Sequence, residues 1–287
     1  MAEKQLRLNE HDEDIFELFE TRSTVMVEDV VQKYNRNRRS AQAGFKRLVE
    51  NGILIAAPVF EGRHFKGYAY SIPVHARQRV TERIGGKKVF VRDDAPKDPD
   101  HEVTLGRIAD AAISQADAAG FEPPFIERRK KFLHDSVTKD GEKISINPDL
   151  FIALKPKDRD VLLIMQFENE GKLGRYREGK SQQDRKMAGY FHYRNSGRAK
   201  EFWAGRNIPV HDFKTGFGHQ TTEKRNNWAR RNLIPFRYRM FWGAANEDLI
   251  RDFYGDVWIT PAEFNSSYPE ESPRTGFKNL VQSKRPL

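Results

Sequence analysis

The chain has 287 residues, 38% of them hydrophobic and 11% aromatic, enough to bury one or two cores and too apolar for a chain disordered throughout. Lys and Arg number 50 against 41 Asp and Glu, a net charge of +9 and a pI near 9.6, which points to a polyanionic partner bound through counterion release. No cysteine occurs, which excludes disulfides, thiolate zinc sites and Cys nucleophiles; Met1 to Glu10 is polar and no run of about 18 apolar residues exists, so neither secretion nor membrane spanning is expected and the cytoplasm is the default compartment.

Residues 1–72 predict a winged helix-turn-helix. Ile15, Leu18 and Phe19 recur at helical spacing, and a second helix starts after Ser23-Thr24 with Val27, Val30, Val31 and Tyr34 on one side. A third helix, Arg38 to Asn51, has an apolar stripe of Ala41, Phe45, Leu48 and Val49 and ends at Asn51-Gly52. Its other side carries Arg38, Arg39, Gln42, Lys46 and Arg47. Two strands, Ile53 to Phe60 and Phe65 to Ile72, are joined by Glu61-Gly62-Arg63-His64. In such an arrangement the third helix enters the major groove and the hairpin tip touches the neighbouring backbone. Arg38, Arg39, Gln42 and Lys46 are the expected base or phosphate contacts, and Arg63 and Lys66 those of the wing. The same residues also read as an ordinary solvated face.

Residues 73–100 read as a linker, with a basic run from Arg77 to Lys88 and a Pro- and Asp-rich stretch from Asp93 to Asp100. From His101 to residue 264 helices and strands alternate. An amphipathic helix carries Leu105, Ile108, Ala109, Ala112, Ile113 and Ala116 and closes at Gly120. Strands are expected at Phe125 to Glu127, Ile144 to Ile146, Leu150 to Leu154 and Val161 to Phe167, the last continuous enough to be covered on both faces. A helix from Ser181 through Phe191, a strand from Ile208 to Phe213, a helix from Thr222 to Leu233, a strand from Phe236 to Trp242, a helix from Glu247 to Tyr254 and a strand from Val257 to Thr260 follow. Residues 265–287 are polar and read as a flexible tail. The fold class is therefore α/β, α+β overall, with a three-layer second domain.

The chemistry concentrates where Asn147-Pro148-Asp149 heads one apolar strand and Gln166-Phe167-Glu168-Asn169-Glu170 ends another. Asp149, Glu168 and Glu170 brought together would suit a hard, oxygen-seeking cation such as Mg²⁺ or Mn²⁺. A metal so held activates water and absorbs charge at a scissile phosphate, as in a metal-dependent phosphodiesterase. Strand-end carboxylates also commonly do no more than face solvent. A basic loop from Lys172 to Lys180, with Arg175, Tyr176 and Arg177, directly follows and reads equally as a grip on a DNA backbone or as a plain solvated hairpin. Lys224, Arg225, Arg230 and Arg231 with Trp228 form another basic helix. His192, His211 and His219 have no zinc-site spacing.

With these residues placed, the chain resembles the replication-relaxation family of plasmid and phage proteins, which joins a winged helix to a degenerate PD-(D/E)xK nuclease domain, a restriction-endonuclease-like fold. The matching pieces are His101-Glu102-Val103-Thr104-Leu105, Pro148-Asp149, Phe167-Glu168-Asn169-Glu170, Lys186 with Tyr190, and Val257-Trp258-Ile259-Thr260-Pro261. The resemblance implies Asp149, Glu168 and Glu170 as metal ligands, Mg²⁺ or Mn²⁺ as cofactor, and Lys186 as the catalytic cation. An ordinary member would carry Lys at position 170, where this chain has Glu170; Lys172 is the nearer substitute but follows Gly171, so Lys186 ranks above it. His101 would lie beside the metal or simply cap a helix.

DNA is thus the expected partner, with a homodimer or replication and mobilisation proteins beside it. The leading expectation is a plasmid- or phage-type DNA-binding protein with a metal-dependent DNA endonuclease site. Its alternative is a non-catalytic DNA-binding regulator or architectural protein whose nuclease-like domain dimerises or recruits a partner.

Overall fold

The computed structural model describes residues 10–61, 63–128, 135–139, 142–158, 160, 162–169, 182–198, 201, 210–233 and 239–282. The chain is mixed α and β and divides into two compact units, Met1–Asp110 and Ala111–Leu287.

In the first unit α1 (Glu10–Glu17) and the 3₁₀ turn after it bury Ile15, Phe16, Leu18 and Phe19. β1 (Val25–Met26) leads into α2 (Val27–Tyr34), where Asp29 reaches back to accept the Met26 N–H at 2.6 Å and so satisfies one of the orphan donors of a helix start. α2 stops at Asn35, whose φ of 51° is a left-handed conformation that Asn tolerates. α3 (Arg38–Glu50) starts on Asn37, whose side chain accepts N–H groups from Arg39 and Ser40. Its Ala41, Phe45 and Leu48 close over α1 and α2. β2 (Ile55–Glu61) and β3 (His64–Pro73) form an antiparallel hairpin, and β1 adds to β3.

The segment read as a linker is instead built into this unit. A 3₁₀ turn at Val74–Ala76, α4 (Arg77–Arg83) and β4 (Val91–Arg92), which pairs with β3, are all present. Ala76, Val80 and Ile84, four apart, put one helical face into the core, and Val89 joins them. The surrounding Arg and Lys hid that spacing. The unit continues into α5 (Pro99–Ser114), whose Val103 covers Met26, Val59 and Ala69 on the inner face of the hairpin. Arg22 and Arg107 both bind the buried Asp29, at 2.9 and 2.8 Å, and Arg22 also reaches Asp110 at 2.6 Å. The first compact unit therefore ends at Asp110 rather than near residue 100.

Among the described residues the second unit is organised on a seven-stranded sheet whose order runs Arg274–Thr275, Trp258–Ile259, Phe241–Ala245, Val210–His219, Leu162–Asn169, Leu150–Leu154, Phe125–Arg128. β5 (Phe125–Arg128), β8 (Leu150–Leu154) and β9 (Leu162–Asn169) make an antiparallel meander. Among the described residues β6 (Asp135–Lys139) and β7 (Glu142–Ile146) pair only with each other. β10 (Val210–His219) runs parallel to β9, and β11 (Phe241–Ala245) parallel to β10. β12 (Trp258–Ile259) and β13 (Arg274–Thr275) complete the sheet antiparallel. α6 (Gln182–Asn195) and α7 (Thr222–Asn232) cover one face through Met187, Tyr190, Tyr193, Trp228 and Ala229.

β10 and β11 run on to His219 and Ala245, past the expected strand ends at Phe213 and Trp242; residues 208–209 and 236–238 of the expected strands lie outside the described residues. Gly216, Gly218 and Gly243 read as loop residues, yet their missing side chains make room for buried neighbours. Trp228 of α7 packs directly over Gly243, and Asn246 and Phe167 close on Gly218. On the opposite face Trp242, Phe253, Trp258 and Phe277 form an aromatic cluster. The segment read as a tail supplies part of it: α8 (Asn246–Arg251) is followed by β12, β13 and α9 (Phe277–Gln282), and Phe277 stacks on Phe253 at 5.6 Å. One aromatic in a polar stretch carries no local signal.

Candidate functional site

The pairing of β8 with β9 sets Leu150 opposite Phe167, so Asp149, one step before, stands opposite Glu168, one step after. Side chains of facing residues in an antiparallel pair lie on the same side of the sheet. Alternation puts this side with Phe151 and Ile164, which face α6. Both carboxylates are buried. Asp149 Oδ2 accepts the Asn169 N–H at 2.9 Å. Glu168 is held by α6: Tyr190 donates its hydroxyl to Oε1 at 2.6 Å, and Lys186 donates to Oε2. Lys186 and Tyr190 are four apart, so one helical face presents both donors.

Electrostatics follows from burial. Loss of water pushes the Glu168 carboxyl above the usual carboxylate range; Lys186 opposes the shift, Asp149 adds to it, and the Tyr190 hydroxyl opposes it. Burial, then the Glu168 and Asp149 charges, push the Tyr190 phenol well above its ordinary value. The Lys186 side chain keeps 39% of its surface exposed against 2% for Glu168, so this cation bridges the buried carboxylate and solvent.

The expected metal triad is not assembled among the described residues, where no three His, Asp or Glu side chains gather as ligands. Glu170, the third expected ligand, lies outside the described residues. Oxygen donors are nonetheless available around the pair. Gln166 Oε1, Thr215 Oγ1 and Asn147 Oδ1 are buried with no hydrogen-bond partner among the described residues. Gln166 lies on the Glu168 side of β9, and Thr215 is its neighbour in register on β10. Gln166 and Thr215 thus lie side by side on the strands next to the two carboxylates, and oxygen ligands are the kind a hard divalent cation takes. Sequence reading gave no role to Gln166, which sits within the core-like run of β9, or to Thr215, which lies past the strand expected to end at Phe213. It set His219 aside for want of zinc-site spacing; the ring is fully buried at the end of β10, 5.1 Å from Trp228.

On the first unit, Arg39, Gln42 and Lys46 of α3 are exposed. Two neighbours are engaged elsewhere. Arg38 pairs with Glu28 at 2.7 Å, and Arg47 is held by the buried Asp12, which makes it part of the fold. Lys46 lies 3.8 Å from Glu50, an exposed pair worth little. Arg63 and Lys66 are exposed on the hairpin. Arg175 and Arg177, with the rest of the basic loop, lie outside the described residues. The basic helix around Trp228 is α7, and Arg225 and Trp228 on it are buried, so only Lys224, Arg230 and Arg231 remain as surface cations. His101 lies in the first turn of α5, its N–H donated to the Asp98 side chain at 3.2 Å.

No family model matches the chain, and no curated protein or solved structure matches it. Among the described residues no helix is long and apolar enough to cross a membrane.

Proposed function

We propose that this chain is a DNA-binding protein of the plasmid or phage type, acting in replication, mobilisation or DNA processing, with a metal-dependent DNA endonuclease site in its second unit. The observation that carries the reading is the register of β8 on β9, which sets Asp149 against Glu168 with Lys186 reaching the latter from α6. Three helices followed by a hairpin, with α3 exposing Arg39, Gln42 and Lys46, support a winged helix in the first unit. A meander bearing carboxylates at adjacent strand ends, followed by a helix and a parallel strand, supports a restriction-endonuclease-like second unit and the resemblance to the replication-relaxation family.

Asp149 and Glu168, with Glu170 by that resemblance, would hold Mg²⁺ or Mn²⁺. Such an ion, when bound, supplies Lewis acidity at a phosphate and an activated water. The chain's own residues do the rest. Tyr190 fixes the rotamer of Glu168, and Asn169 fixes Asp149. Lys186 carries a positive charge at the solvent edge of the pair, where the charge developing on a bound phosphate would be met.

A second reading, a non-catalytic DNA-binding regulator whose second unit dimerises or recruits a partner, is favoured by one observation: both Glu168 oxygens already have donors, one of them a cation. Supercoiled plasmid incubated with Mg²⁺ or Mn²⁺ separates the two. The endonuclease reading expects nicking that Asp149→Ala and Glu168→Ala abolish while DNA binding persists. Intact plasmid at high protein and Mn²⁺, together with calorimetry showing no metal uptake that Asp149→Ala removes, would leave the regulator.

A further inference from the structure

The hairpin of the first unit exposes a row of aromatic rings. Phe60 is 43% exposed, Phe65 54% and Tyr68 49%. They form a continuous series: Phe60 lies 5.7 Å from Phe65, Phe65 5.2 Å from Tyr68, and Tyr68 6.5 Å from Tyr70. Tyr70 in turn packs on the buried Phe45 of α3 at 4.4 Å. The row thus runs from the root of α3 to the tip of the hairpin.

This exposure is built by a bulge. Phe65 and Tyr68 are three apart and in a regular strand would point to opposite faces. The register shifts between Val59 and Phe60: Val59 faces Gly67 and Phe60 faces Phe65, which leaves Lys66 as the extra residue on β3. Gly67 takes up the irregularity with φ at 138°, a conformation that disfavours any side chain. Without the shift Phe65 would join Val59 and Ala69 on the inner, covered face. The bulge turns it outward.

The rings are accompanied by cations. Arg63, His64 and Lys66 are exposed around them. The large apolar residues that the hairpin exposes are all aromatic, with no Leu, Ile or Met among them. Aliphatic groups serve a protein partner as well as rings do, whereas alternating rings and cations suit unpaired bases, each with a π-face and a phosphate.

We propose that the outer face of this hairpin is a stacking site for single-stranded DNA, with Phe60, Phe65 and Tyr68 taking bases and Arg63 and Lys66 taking phosphates. The proposal deepens the DNA-binding reading of the first unit and rests on it: α3 engages duplex, and the hairpin engages unpaired strand beside it. The test is fluorescence anisotropy of the full chain with an oligonucleotide of about 16 nucleotides, the upper span of one such surface, and with a blunt duplex of the same sequence. Phe65→Ser and Tyr68→Ser should each weaken single-strand binding by about five- to a hundredfold, the effect of losing one stacked base, and leave duplex affinity within threefold. Phe65→Leu, which keeps the apolar volume, should behave like Phe65→Ser and guards against a folding defect. Wild-type protein that binds duplex but not single strand, or ring variants that bind single strand normally, overturn the stacking site alone. Wild-type protein that binds neither overturns the DNA-binding reading as well. Ring variants that dissolve a dimer in sedimentation without altering single-strand affinity assign the face to a second copy and also overturn it.

Discussion

Tyr190→Phe removes one hydroxyl from the interior and nothing else. Tyr190 and Glu168 are 1% and 2% exposed, so their 2.6 Å bond has no water to replace it. Phenylalanine fills the same volume and opens no cavity. What is lost is a hydrogen bond to an ionised acceptor, worth about 1.5–3 kcal/mol. Lys186 still neutralises the other oxygen, which places the expected loss in the middle of that range, about 2 kcal/mol. For a domain of this size that is a fall in Tm of about 4–8 °C. Calorimetry at neutral pH, with chemical denaturation as a second measure, reads it. The same substitution in a Glu168→Gln background should cost under about 1 kcal/mol, because a neutral acceptor gains less from the hydroxyl. A Tyr190→Phe protein as stable as wild type, or a loss undiminished in the Glu168→Gln background, would refute this account of the site.

Burial raises the Glu168 carboxyl above the ordinary range, so its stabilising contribution is complete below the unfolded carboxylate value and is lost as pH climbs through the folded one. Glu168→Gln lacks that loss, and its stability relative to wild type should improve from about pH 4 to neutrality; a difference of opposite slope contradicts the shift. Lys186→Ala leaves the buried Glu168 carboxylate without its cation, so stability should fall by about 1–3 kcal/mol, while metal-dependent nicking of the folded variant should drop about 10²- to 10³-fold; nicking at wild-type rate rules out a catalytic cation there. Phe277→Ala should cost about 3–5 kcal/mol by emptying a site between Phe253, Trp242 and Trp258, and an unchanged melting curve would show that α9 is not docked. Arg39→Ala with Lys46→Ala should weaken duplex binding and flatten its salt dependence by about one unit of slope per lost phosphate contact; titrations across salt concentrations decide whether either residue touches the backbone.

Much of this molecule was legible without coordinates. α3 and β8 lie where the Asn51-Gly52 stop and apolar periodicity put them, since those signals act within a few residues, whereas α2 starts at Val27 on Met26, with β1 between it and the Ser23-Thr24 read as its start. Asp149 and Glu168 at strand ends were singled out by residue type and spacing, whereas Lys186 with Tyr190 was named only through the resemblance to the replication-relaxation family. Tertiary structure decided what each of them meets. Asp149 faces Glu168 only because β8 and β9 pair in one register, and a slip of one residue would turn either carboxylate to the other face. Arg47 shares the polar side of α3 with Arg39, Gln42 and Lys46, but Asp12, on another helix, holds it. Gly243 and Gly218 are strand residues because Trp228, Asn246 and Phe167 occupy the space their side chains would fill, and Phe277 is core because Trp242, Phe253, Tyr254 and Trp258 surround it. Propensity and capping are local energies, written in neighbouring residues. Register, ion-pair partners and close packing depend on groups far apart in the chain, and they acquire a definite energy only once the fold has brought those groups into contact.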